Sequence, residues 1–360
     1  MEDPILSSSN AARGAHLVGS LPHADADSGF EDVAKILGQH VARIPDGETG
    51  PRKTWALWQF GVVSSDPNME ADPNEEPRPY PAWVDGKPGV VQLHPFRFKG
   101  SADLDSIHLN TTYAEHALAS YARFAELKKQ GKIPAATRFM VALATPLAIG
   151  APHVSPSALP DFLKVYERSL ITDLGKIVAG IPADQLSIQW DIAVEVIMLE
   201  GAFGLSVPKE EFEEATLAQM ERLFAAVPES VEMGFHLCYG DPDGKHVVEP
   251  KDMGLMVGLA NKIITRSSRS VAFVHMPVPI DRSDDAYFEP LTDLKQPAGC
   301  KLYLGLVHLE DGEAGTQARI ATASKFARDF GVATECGMGR EPLDQAAHLL
   351  SIHANCALPS

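Results

Sequence analysis

Eight short apolar runs recur through this chain, at residues 14–20, 41–45, 139–144, 186–190, 231–235, 271–274, 302–307 and 332–334. Most are followed by a stretch of helical period, at 29–39, 113–129, 157–178, 208–226, 250–265, 313–330 and 342–353. A strand that is apolar on both faces must be covered on both, and a parallel sheet wrapped by helices does this. With eight such units and no second composition regime, closure into an α/β (β/α)8 TIM barrel is the economical solution.

The length of 360 residues suits one barrel, so residues 14–360 are expected to form a single catalytic domain preceded by a polar, flexible leader at 1–13. The alternation fails at about 61–110, where Pro, Asp and Glu accumulate, and this stretch is expected to be an insertion covering one barrel end. A net charge of −17 with no basic block speaks against a nucleic-acid or anionic-membrane partner. The four cysteines are too widely spaced for a disulfide framework. Neither a secretory signal nor a membrane-length apolar run is seen, so a reducing, cytoplasmic setting is expected.

Polar residues cluster at one kind of place. Ser20, Glu48, Thr145, Asp191, His236, Cys238, His275, His308 and Cys336 all fall at or just beyond C-terminal ends of expected strands, the face where barrels build their sites. That polar residues simply begin where strands stop explains Ser20 and Thr145, but not three histidines and two cysteines. His236 and Cys238 stand two apart at the end of an apolar run, so their side chains point to the same side. An imidazole, a thiolate and a second thiolate from a later strand end, Cys336, are a donor set that tetrahedral zinc prefers, with one position left for a substrate atom. Cys300 and Cys356 read as structural.

Leu17-Val18-Gly19-Ser20-Leu21-Pro22, Gly47-Glu48, Ile188-Gln189-Trp190-Asp191, His236-x-Cys238 and Cys336-Gly337 together resemble the catalytic half of cobalamin-independent methionine synthase, and more broadly the zinc thiol-alkyltransferases that share its barrel. The resemblance runs over most of the chain. It implies zinc on His236, Cys238 and Cys336; Ser20, Glu48 and Asp191 as substrate-binding residues; and His308, with Asp191, as catalytic, His308 moving the leaving-group proton. The family places a Glu after the sixth strand as a fourth zinc ligand. A literal match puts Arg266 there, and arginine cannot be a ligand. Matching by strands gives the position to His275, whose role as a substrate contact or supporting residue is equally open.

The segment 191–195 lacks the family's Asp-Glu-Pro, and the folate-binding half of the full-length enzymes is missing, so the alkyl donor is not inherited. The partners expected are a small-molecule thiol and an alkyl donor, with a homodimer left open as the assembly. Two other readings stand beside transfer to a thiol. A uroporphyrinogen-decarboxylase-like lyase would need arginines for substrate carboxylates, and only Arg52, Arg266, Arg282 and Arg340 lie near strand ends. A non-catalytic binding barrel that has lost its donor half would hold no reactive zinc.

Overall fold

Apolar runs pair where burial demands it. In the computed structural model, which describes residues 12–84, 87–242 and 245–360, eight strands form one parallel sheet. They are β1 (Ala15–His16), β2 (Arg43–Pro45), β3 (Arg138–Ala144), β4 (Leu186–Ile192), β5 (Glu232–Leu237), β6 (Phe273–Pro277), β7 (Lys301–Val307) and β8 (Phe330–Thr334). Their order is β1-β8-β7-β6-β5-β4-β3-β2, and a parallel bridge between Ala15 and Val41 spans the remaining seam, so the sheet is a nearly closed (β/α)8 barrel. Residues 1–11 of the expected leader lie outside the described residues, whereas Arg13 is bridged to Leu358.

The expected helices appear close to their periodic stretches, from Ala26–Leu37 and Tyr113–Lys129 to Leu343–Cys356. Strand bounds shift in ways that matter for the site. The first run contributes only two paired residues, because the chain from Leu17 onward turns into a loop whose Val18 carbonyl is taken by Gln189. Strands β4 and β5 extend past their apolar runs to take in Asp191 and His236. Strand β6 starts two residues later than expected, at Phe273, so His275 sits within it, directly opposite His236. No helix among the described residues is long and apolar enough to cross a membrane.

The barrel is filled below the mouth by Met140, Phe273 and Tyr303, with the Arg43 guanidinium over the Phe273 ring at 4.1 Å. Arg43 is buried and donates through Nε to Glu232 at 2.8 Å, so the charge entering the core arrives paired.

The insertion has structure of its own. Met69–Ala71 pairs antiparallel with Phe96–Phe98, and Arg78–Val84 with Lys87–Leu93. It joins the barrel through a bridge between Phe96 and Val154 and a hydrogen bond from Ser155 N to Phe96 O at 2.9 Å. Both anchors follow the helix Pro146–His153, which Thr145 caps, so the insertion flanks the mouth beside β3.

Candidate metal centre and its surroundings

Strand β5 carries His236 to the mouth, and Cys238 follows its last residue with its N–H donating to Ile192 O at 3.1 Å. The chain then turns at Gly240, whose φ of 70° and N–H to the Cys238 sulfur (3.3 Å) hold that thiol inward. Cys336 arrives from β8 at the start of a loop that lies on Ser20. Met338 N donates to Ser20 O at 2.8 Å and Gly339 N to Ser20 Oγ at 3.2 Å. A side chain at Gly337 would meet the Ser20 backbone nitrogen at 2.9 Å, so only glycine fits the close approach.

These elements bring the donor atoms of His236, Cys238 and Cys336 within 4.8 Å of one another. The two sulfurs are 3.9 Å apart, close to the roughly 3.8 Å that two Zn–S bonds at a tetrahedral angle would span. Through Nδ1, His236 bonds to His275 Nδ1 at 2.6 Å, which leaves its buried Nε2 without a partner. A buried imidazole nitrogen with nothing to bond is costly unless a ligand completes it. The donor set therefore fits a zinc ion. The thiols share a proton: the Cys238 hydrogen bond, with His236 and Arg340 nearby, holds Cys336 well below the usual thiol range, and the same bond plus burial pushes Cys238 up.

His275 is placed differently from those three donors. It is fully buried, kept neutral by desolvation and by His236, and its bond to His236 turns it toward that ring; it is not among the converging donor atoms. Arg266 lies at the end of the helix Gly254–Arg266, ion-paired with Glu214 (2.7 Å) and Glu221, away from the mouth.

The substrate residues expected from sequence sit on the other side of the metal donors. Asp191 is in register with His236. Its Oδ1 accepts from Gln189 Nε2 at 2.8 Å and its Oδ2 from Trp55 Nε1 at 3.1 Å, and burial pushes its carboxyl up to about 6. Gln189 is oriented in turn by His16, whose Nε2 donates to Gln189 Oε1 at 2.8 Å. Glu48 has φ of 42°, a conformation that turns its side chain into the mouth, where burial, then the Asp191 charge, holds its carboxyl well above the usual range. Arg52 is bonded to Asp46 at 2.7 Å, and its charge offsets the rise at Glu48 only in part. Two buried carboxyl groups, whose charges Arg52 and His236 offset only in part, make a place for a cationic or donor-bearing group.

On the third side is a group that the sequence reading did not assemble. Glu335 precedes Cys336, and burial pushes its carboxyl up to about 7; His246 Nε2 is 3.1 Å from one oxygen and His308 Nδ1 3.7 Å from the other. Burial would lower His246, but Glu335 and Glu249 outweigh it and bring it to about 9. Asp241 pairs with Arg340, which also faces Cys336. His308 donates Nε2–H to Val278 O at 2.9 Å, and burial lowers it to about 4, so its bare Nδ1 faces Glu335. Asp241 and Glu335 flank the ligand motifs closely enough to have been found from spacing. His246 and Trp55 gave no signal in the chain. Thr145 caps a helix and touches the buried Glu195, not the converging donors.

No family model matches the chain. No curated protein matches it either. Among solved structures, a B12-independent methionine synthase from Shewanella sp. W3-18-1, in complex with selenomethionine, is similar at a TM-score of 0.56 and 13% identity, over 97% of this chain and 95% of that one. The fold is that of a methionine synthase barrel. A putative vitamin-B12 independent methionine synthase from Listeria monocytogenes is similar over 96% of this chain and 98% of its own, at a TM-score of 0.51 and 12% identity. At these identities the likeness carries the fold, and the chemistry rests on the side chains just described.

Proposed function

We propose that the chain is a zinc-dependent transferase that alkylates the sulfur of a small thiol. The observation that carries this reading is the convergence of donor atoms of His236, Cys238 and Cys336 within 4.8 Å, with the buried His236 Nε2 left without a hydrogen-bond partner. Zinc held there would supply Lewis acidity that keeps a substrate thiol deprotonated near neutral pH. Glu48 and Asp191 bind and orient an amine or hydroxyl on the same molecule, and Ser20 fixes the loop that bears Cys336. As the new carbon–sulfur bond forms and the bond from the alkyl carbon to its leaving group breaks, His308, neutral and with its lone pair toward Glu335, relays the proton held by Glu335, near 7, to that leaving group. The donor is an activated alkyl group. The fold likeness to methionine synthases supports the reading, as does the pairing of all four candidate arginines with acidic side chains, which leaves little for a lyase to bind substrate carboxylates with. Two free thiols so close together suit a reducing compartment, and we assign the protein to the cytoplasm.

Elemental analysis of the purified protein, followed by proton release on mixing the zinc-loaded form with a thiol, tests the reading. One zinc per chain and one proton per bound thiol are expected, and a protein that takes up no zinc would end it.

Two further outcomes follow from the site. His308→Gln should keep its zinc and its thiol affinity yet lose about a hundredfold in turnover, since it removes a proton carrier and leaves the donors alone. Equal turnover would remove His308 from the reaction. For Asp191 the sign is set by a carboxyl raised from 3.8 to about 6. Below 6 it is neutral, so affinity for an amine-bearing thiol, divided by that for the same thiol without the amine, should fall by up to about tenfold per pH unit. Protonation also relieves desolvation, so this group's contribution to fold stability is present at low pH and is lost as pH rises from 3.8 through about 6. An affinity ratio flat between pH 5 and 7 would show that Asp191 does not meet the amine.

A further inference from the structure

Trp55 stands out for where it is held and for what it touches. It lies in the segment Gly50–Gln59, where the helical backbone breaks at φ 50° and ψ −130°, a region in which any side chain is crowded and glycine is the usual occupant. Such backbone survives only where its surroundings over-determine it, and it gathers at sites that bind or switch. On both sides the segment is tied down. Arg52 is bonded to Asp46 before it, and Gln59 after it donates to Thr111 O at 3.0 Å and accepts from Tyr166 at 2.9 Å.

The constraint packs Trp55 against the core and sets its indole N–H on Asp191 Oδ2 at 3.1 Å. Asp191 is 4% exposed, and its other oxygen is already held from within the barrel by Gln189. The indole thus occupies the carboxylate oxygen that Gln189 leaves free, the one a substrate donor would have to compete for. Resting on the thiol reading above, we propose that Trp55 is a specificity-determining residue, a competitor for Asp191 that only a donor stronger than an indole N–H displaces. An ammonium group qualifies because a charge-assisted hydrogen bond is roughly twice as strong as a neutral one. A thiol lacking such a group leaves Trp55 in place and gains nothing from Asp191.

The test titrates the zinc-loaded protein and its Trp55→Phe variant with 2-aminoethanethiol and with ethanethiol, which differ by the amine alone. Phenylalanine keeps an aromatic ring on the crowded backbone and removes the N–H together with part of the indole's bulk. The variant should bind 2-aminoethanethiol about tenfold more tightly, the worth of one hydrogen bond that no longer has to be broken, and ethanethiol as before. Tryptophan fluorescence of the unaltered protein should change on adding the amine thiol and not on adding ethanethiol, and that change should be missing in the variant. Trp55→Leu, which also lacks the N–H, must show the same selective gain. Unchanged or weaker binding of the amine thiol by these variants, or an equal change for both thiols, overturns the proposal while leaving thiol binding intact. Failure of the loaded, unaltered protein to bind either thiol removes the thiol reading itself.

Discussion

Cys336→Ser should lower zinc affinity by at least about a hundredfold, so that a protein purified with one zinc per chain is recovered with almost none. A serine hydroxyl is not ionised at neutral pH, and the thiolate it replaces is the one that the surroundings of the site stabilise, through the Cys238 bond, His236 and Arg340. Cys300→Ser and Cys356→Ser should keep full zinc, since the first thiol lines an apolar gap with Ile264, Val274 and Leu302 and the second lies by the Glu313 carbonyl, at 3.9 Å, and Gln317. Zinc quantified by elemental analysis across these three variants decides the point. Retention in Cys336→Ser, or loss in either of the others, would mean that the wrong thiols have been assigned.

The second large effect is expected at Gly234, two residues before His236. A methyl group there would lie 2.5 Å from the Phe273 ring and against the Phe273 carbonyl oxygen, in the seam where β5 and β6 pair. Backbone cannot give way as a flexible side chain can. Gly234→Ala should therefore destabilise the fold by about 3 kcal/mol, read as a lower denaturant midpoint. It should also part His236 from His275, so zinc affinity falls even under conditions where the variant is folded. A variant as stable as the parent would show that the two strands are looser than their register implies.

How much of this was legible in the chain depended on how local each signal was. The eight strands were, because each is a short apolar run that must be covered on both faces. The helices Pro146–His153 and Val194–Leu199 were not, being too short to display a period. His236, Cys238 and Cys336 could be brought together because their residue types bind one metal and their strand ends share one face. The position of His275 within β6 depended on where that strand starts, which two residues of apolar sequence do not fix. The contacts that shape the rest of the site join distant parts of the chain: Trp55 to Asp191 across 136 residues, His16 to Gln189 across 173. No local pattern announces a pairing of that span, and only the closed barrel makes it.

The hold of the loop at 336–339 on Ser20 has a consequence for how the protein is made. Ser20 belongs to the first strand's loop and Cys336 to the last, and at the barrel's other end Gly14 N donates to Leu358 O at 2.8 Å. A nascent chain that has emerged only as far as β7 already holds His236 and Cys238, yet it lacks the third donor and the segment that would carry it. On the zinc reading, metal capture would be tied to completion of the ring. A growing polypeptide on the ribosome would carry two of the three donors and no site, and on the zinc reading full coordination would wait until the first and last strands of the barrel had come together.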